Sequence, residues 1–412
     1  MASVNFLGWI DYDARHEEDI LRALGAAKGH DARDELGLGT MRDSMADLLF
    51  PGLSTIQQRP RYFFFVQWCC ELAAAHSDAH RIRDKLREYE VALIKTLSHL
   101  GEGEGVIGIL SQEELERMPS EIYWNGLLVL GMRQYGGNRQ RWARHVVADR
   151  LSRQTDVFGD SGPKVRQSSG FAIDRPDPPV GFPSTAALDF VLTHPEAEYL
   201  RKRLVDACVD RSGQGRRFNL FGTFTKYRRT ITAAHAWDHP RIDKLPGEAL
   251  ELLLLAAAFA KLMHGAVILY NVCVARKQVE DGLSPENLER HLRSLTEWTG
   301  ELSPADVDLV RQRLVEFHEF GRLTRHRIDP KAIAFVERWT DCCTTPHRLA
   351  DSVAASRIVC DREIFLKKGA GTSRIVSKKA RARWGGESGG MMDFRWAIAK
   401  RCLNDLAAAP DA

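Results

Sequence analysis

The chain has 412 residues, 44% hydrophobic and 27% charged, with a formal net charge of +3. This composition describes a folded chain with a substantial core, at ~100–200 residues per domain two or three packed units. It excludes a disordered chain and a protein whose global charge alone would recruit nucleic acid.

Helical patterning dominates. Ile20, Leu21 and Leu24 predict an amphipathic helix over 15–28, and Met45, Leu48 and Leu49 give one apolar face to 42–50, stopped by Pro51-Gly52. The apolar run from Tyr62 to Trp68 must be buried, as strand or helix; periodicity alone does not choose. Residues 77–100 form a long charged helix with Ile82, Leu86, Leu93, Leu97 and Leu100 as its stripe, ended by glycines 101, 103 and 105. Ser111 and Glu114 read as a capping box opening a helix over 111–118; helices over 121–135 and 139–151 complete a first unit.

From 154 to 185 the composition turns to Gly, Ser and Pro. Phe158, Phe171 and Phe182 favour an arm docked on the surface over a loose tether. Beyond it come a helix over 196–209, a basic loop over 216–229 and a long apolar helix over 248–279. Residues 252–275 are apolar enough to raise a membrane span. Lys261, His264 and Asn271 are costly in hydrocarbon and no second span accompanies them, so a core helix is the reading. Helices over 285–297, 304–321 and 331–343 follow, two opening on Ser284-Pro and Ser303-Pro caps. The last ~60 residues mix a short helix, a Gly/Lys-rich stretch and an amphipathic helix over 393–406.

The expected fold is mainly α: two packed helical units, a small basic C-terminal region and few strands. The expected domains are 1–153, 186–351 and 352–412, with 154–185 as connection. Eight irregularly spaced cysteines and an N-terminus without a basic n-region read as reduced thiols of a cytoplasmic chain.

Phosphate-loop, zincin, nucleophile-elbow and paired Cys-x-x-Cys signatures are absent, so no catalytic residue, metal ligand or cofactor is assigned. His76/His80 and His235/His239, the latter with Asp238, have helical metal-ligand spacing, but surface or capping roles account for them more simply. Cys342, Cys343, His347 and Cys360 match no zinc knuckle. The basic stretch from His318 to Arg327, with Glu319, Arg322, Arg325 and His326, suits a helix C-terminus or an anion contact.

Charge is concentrated at the end: residues 357–412 carry 12 Lys and Arg against 6 Asp and Glu, a balance of +6 against −3 upstream. Lys367, Lys368, Arg374, Lys378, Lys379, Arg381 and Arg383 alternate with small residues, and Trp384 closes the run. Ammonium and guanidinium groups, glycines that let backbone approach, and an indole for stacking are what a polyphosphate ligand requires. Near the N-terminus, Arg33/Asp34, Glu35, Arg42/Asp43, Asp47 and Arg59/Arg61 crowd around Phe50-Pro-Gly52. The neighbouring apolar run draws these charges to the edge of a core, where each must pair or meet a ligand.

Several segments resemble one family. Trp9 to Tyr12, Arg33 to Gly39, Arg42-Asp43, Leu49 to Gln57, Arg59 and Arg61 to Phe63 are similar to the uncharacterised bacterial family called domain of unknown function 6361. His194 to Leu200, Gly265, Tyr270-Asn271 and Phe394 to Trp396 fit it too, while Gln67 stands where the pattern leads one to expect proline. The resemblance implies no activity. It implies a bacterial cytoplasmic protein from phage-defence neighbourhoods, beside helicases, nucleases or methylases.

Two functions follow as expectations. The first is a non-catalytic nucleic-acid-binding or scaffold subunit of an anti-phage defence complex, contacting DNA or RNA through the eight C-terminal residues. Six or more phosphate contacts would cost ~10³-fold or more in affinity between about 50 and 200 mM salt. The alternative is a metal-dependent enzyme acting on nucleotides or nucleic acid, with Asp34, Glu35, Asp43 and Asp47 as carboxylates. Asp43 and Asp47 share a helix face, but nearby arginines compete for them.

Overall fold

The computed structural model of the chain describes residues 34–101, 105–156, 169–185, 188–208, 219–368 and 371–411. The helix expected over 15–28, Arg33 and Phe158 lie outside these residues. The protein is mainly α: among the described residues the sheet-like pairing is one antiparallel bridge, Arg133 with Phe171. The helices are α1 (Gly39–Leu49), α2 (Tyr62–Ala74), α3 (Ala79–His99), α4 (Pro119–Val129), α5 (Arg139–Asp156), α6 (His194–Asp206) and α7 (Phe221–Phe224). They continue with α8 (Gly247–Glu280), α9 (Glu286–Glu301), α10 (Pro304–Arg313), α11 (Glu316–Thr324), α12 (Pro330–Cys342), α13 (Val353–Lys367), α14 (Lys378–Ala382) and α15 (Trp396–Ala408).

Compactness divides the chain into two units, each assembled from separated stretches. Leu38–Phe259, Asp308–Ala334 and Asp393–Ala412 make the larger; Met1–Gly37, Ala260–Val307 and Phe335–Met392 make the smaller. These divisions do not follow the breaks expected near 153, 186 and 351. Contacts between distant stretches set them, and linker composition does not report such contacts.

In the larger unit the run at 62–68 is helical. It continues through Cys69, Cys70 and the alanines to Ala74, and all but Glu71 and Leu72 of its residues are buried, the pattern of a core helix. Tyr62 stacks on Tyr123 at 5.4 Å, and Phe63 meets the same ring edge-on at 4.9 Å. Tyr123 Oη donates to the Arg59 carbonyl at 2.8 Å, so the polar tip of a buried aromatic is satisfied. The arm over 169–185 is docked, as its aromatics require. Phe171 packs edge-on against Trp142, Phe182 lies 5.3 Å from Trp68, and Trp68 Nε1 donates to the Pro176 carbonyl. Gln67, fully buried, donates its side-chain amide to the Ala172 carbonyl at 3.2 Å, a tie to the arm that proline could not make.

Three expected helices differ, one of them in length, since that expected over 121–135 ends at Val129. Residues 111–118 hold only a 3-10 turn, Gln112–Glu114, because Leu115 and Met118 are extended and Pro119 opens α4. Residues 304–321 split into α10 and α11. The latter ends with Arg325 in the left-handed region at φ 60°.

In the smaller unit, α8 from Ala260 onward is the core. The helix is long and apolar enough to cross a membrane, yet 78% of its most apolar 18-residue window is buried within the fold. Its polar residues have duties there. Lys261 pairs with Asp306 at 3.5 Å, and His264 Nε2 bonds the Gly389 carbonyl at 3.1 Å. Trp298 donates to the Lys261 carbonyl and lies so close to Gly265 that an added Cβ would sit 2.1 Å from the indole. Gly265→Ala is therefore expected to destabilise the fold by ~1–3 kcal/mol through overpacking, despite the ~1 kcal/mol alanine gains in helix propensity. Denaturant unfolding checks this; a stabilised variant would mean that Trp298 yields freely.

Candidate functional site

The basic C-terminal segment is built on a buried carboxylate. Glu363 on α13 accepts from Ser373 Oγ at 2.5 Å and from the Arg374 amide at 2.8 Å, turning the chain back after α13. Ser377 then caps α14, its hydroxyl accepting from the Ala380 amide. This turn divides the eight expected ligand contacts into two sets.

Four are engaged inside the smaller unit. Lys367 Nζ and Arg374 Nη1 hold the buried Glu35 carboxylate at 2.6 and 3.2 Å. Arg381, itself buried, grips Asp281 Oδ2 with two nitrogens at 2.8 and 2.9 Å and donates to the carbonyls of Arg374 and Ile375. Trp384 is 4% exposed and stacks on His291, centroids 5.4 Å apart, so it offers no free face to a base. Burial, with Arg290 nearby, pushes the His291 imidazole down to about 4, so the stacked ring is neutral. Sequence density could not separate these residues from the rest, because their partners lie about 100 to over 300 positions away.

The second set, Lys368, Lys378, Lys379 and Arg383, is exposed. Lys378 reaches the Asp281 backbone carbonyl at 3.3 Å while its side chain stays 70% exposed. Lys379 and Arg383 are one helical turn apart.

In the larger unit Asp43 and Asp47 share a face of α1, as their spacing predicts, but both carboxylates are taken. Asp47 Oδ2 meets His326 Nε2 at 2.9 Å and its Oδ1 is bound by Arg395; Asp43 pairs with Arg42 at 3.1 Å and lies 3.9 Å from Arg395. Arg395 also donates to the Leu53 carbonyl at 2.7 Å. It sits with Phe394 in the left-handed region, φ 67° and 50°, which places its guanidinium at the start of α15. Burial works to raise the Asp47 carboxyl, and the bonds from His326 and Arg395 outweigh it, holding it below the ordinary carboxylate value. The Asp47 bond in turn raises His326 above an ordinary histidine. The geometry is that of a structural knot around Arg395.

The remaining candidates are dispersed. His76 precedes α3 and bonds Tyr89 Oη, while His80 is exposed near Asp84. His235 and Asp238 close a 3-10 turn; His239 is buried against Phe224 at 3.8 Å, and burial depresses it to about 4. Burial raises the Cys342 and Cys343 thiols, and Cys360 is half-buried on α13. Among the described residues, no three His, Cys, Asp or Glu gather as a metal site.

The model of a family of unknown function, DUF6361, matches residues 4–410. The chain belongs to this family. No curated protein and no solved structure matches the chain. Membership in DUF6361 carries no catalytic residue across, so the site stands on its geometry.

The Asp47–His326 pair predicts a stability profile. Asp47, depressed by folding, contributes above its unfolded value of ~3.9, and that contribution fades as pH falls through its folded value. His326, raised by folding, contributes below ~6.5, and that contribution fades as pH rises through its folded value. The pair therefore stabilises most between pH ~4 and ~6.5. Asp47→Asn is expected to cost about 2 kcal/mol, less than the ~3–5 kcal/mol of a fully buried pair. It should also return the His326 ring-proton titration, followed by NMR, to ~6.5 or lower. An unaltered titration would remove the pair from the account.

Proposed function

We propose that the chain is a non-catalytic nucleic-acid-binding subunit of a bacterial anti-phage defence complex, acting in the cytoplasm. It contacts phosphates through Lys368, Lys378, Lys379 and Arg383. One observation carries this reading: on a segment whose other charges are spent on Glu35 and Asp281, four cations stay exposed, and of these only Lys378 meets a carboxylate among the described residues, Asp281 at 3.8 Å. Lys368, Lys379 and Arg383 have no acidic partner among the described residues, so their charge is available to an external anion. The stacking role first given to Trp384 drops out of the reading, because the indole is held against His291. The defence setting, with a helicase, nuclease or methylase as partner, is supported by the family resemblance and is tested by co-purification from the native operon.

The metal-dependent alternative loses ground. Asp43, Asp47 and Glu35 are each engaged by cations, and freeing one would leave a charge unpaired.

The reduced number of contacts changes the expected salt response. Four phosphates give a loss of ~10²-fold between about 50 and 200 mM salt, shallower than eight would. Lys368→Glu, Lys378→Glu, Lys379→Glu and Arg383→Glu together should abolish binding of DNA or RNA at low salt and leave the helical circular dichroism unchanged. Arg381→Ala should instead destabilise the segment, by ~1–3 kcal/mol, because half-buried Asp281 keeps only Lys378 at 3.8 Å. Undiminished binding by the four-fold reversal, measured by fluorescence anisotropy, overturns the assignment.

A further inference from the structure

In the larger unit α3 packs against α5, and an open cleft of about 420 Å³ is lined by both helices and by the start of α4. That volume falls in the ~300–1,000 Å³ range of small-molecule sites. Three guanidiniums line it, Arg83 and Arg87 from α3 and Arg139 from α5. Arg139 is anchored to the core. Its Nη1 donates to Ser120 Oγ at 2.9 Å, and that fully buried hydroxyl donates in turn to the equally buried Glu90 at 3.0 Å. Its Nη2 pairs with Glu121, which also lines the cleft. Arg87 is held as well, but by neutral groups: Nη2 donates to the Glu113 and Leu115 carbonyls at 2.7 and 3.2 Å.

We propose that this cleft binds a small molecule carrying two linked phosphates, a nucleoside diphosphate or inorganic pyrophosphate, held by Arg83, Arg87 and Arg139. Neither Arg83 nor Arg87 meets a carboxylate among the described residues. They stand four positions apart on α3, so two like charges share one helix face, which costs the helix stability until an anion comes between them. Guanidiniums take phosphate oxygens through paired N–H donors, so each can hold one phosphate of a linked pair. Asn138 adds a neutral donor: its Oδ1 caps α5 by accepting from the Arg141 amide at 2.9 Å, which leaves Nδ2 for a phosphate oxygen.

The acidic residues of the lining do not cancel this charge. Glu121 is occupied by Arg139, and Asp84 lies 3.8 Å from His80 with both side chains mostly exposed. These residues all belong to the larger unit, so the site is separate from the basic C-terminal segment.

The test titrates the full chain calorimetrically with ADP, with pyrophosphate and with adenosine as control. ADP and pyrophosphate are expected to saturate one site that adenosine does not fill. Tighter binding of ADP would show that the nucleoside is seated too, and equal affinities that the phosphates alone are read. Arg83→Ala and Arg87→Ala should each weaken binding on the order of ten-fold, the loss that follows removal of a charged hydrogen bond, with helical circular dichroism unchanged. The unaltered chain gives a second reading that needs no variant. Phenylglyoxal modifies arginines, and peptide mapping by mass spectrometry should find Arg83 and Arg87 protected by pyrophosphate while Arg383 stays reactive. No binding of either probe at about 1 mM, adenosine binding as well as ADP, or protection of Arg383 in place of Arg83 and Arg87 would overturn the proposal.

Discussion

A guanidinium carried into a core by a neighbouring apolar helix must be met by a carboxylate, and the larger unit is organised around that requirement. Helix α2 is buried on all sides, and Arg61 immediately precedes it. Arg61 is 4% exposed and spans Asp189 and Glu196, donating to Glu196 Oε1 at 3.0 Å. Glu196 uses its other oxygen to accept from the Thr193 amide, completing the capping box of α6. One carboxylate therefore neutralises a buried cation and also starts a helix. Two residues earlier, Arg59 holds Asp405 of α15 at 2.8 Å. With Asp47 bound to Arg395, the early Arg/Asp block reaches partners 128 to 348 positions away. That reach accounts for the block's sequence specificity without invoking catalysis.

The same rule governs the smaller unit and decides which basic residues are free. A buried carboxylate needs cations as much as a buried guanidinium needs anions. Glu35 recruits Lys367 and Arg374, and Asp281 recruits Arg381. What remains exposed is the surplus after these demands are met. A dense basic run thus holds two populations, one engaged inside the fold and one exposed, and their mutation should differ in kind: only loss of the first should cost stability.

Most local structure was legible in the sequence. Caps and stops placed α3, α15 and the start of α10 within a few residues, because capping is a contact between near neighbours. The choice of helix for the run at 62–68 was not legible from that window, since a short apolar stretch fits either element. The continuation to Ala74 settles it. The helix expected over 111–118 failed because Leu115 and the approach to Pro119 are extended, outweighing an apparent capping box. The candidate site was half legible. The basic run itself was legible, while the engagement of Lys367, Arg374, Arg381 and Trp384 inside the fold depended on Glu35, Asp281 and His291, which no local pattern ties to them.

The cysteines show how far one physical rule discriminates. Burial alone raises a thiol, and it does so at Cys69, Cys70, Cys343 and Cys402, which are inert packing residues on that account. Cys69 and Cys70 also feel the Glu90 carboxyl, which opposes ionisation further. Cys273 is nearly as buried, but its neighbours include a thiol, a hydroxyl and two cations in place of a carboxylate. What separates it from the other buried thiols is therefore the donors assembled by two helices rather than depth. Adjacent pairs such as Cys342-Cys343 draw the eye in a sequence. Burial raises Cys342 and Cys343 alike, so adjacency in the sequence confers no reactivity on them.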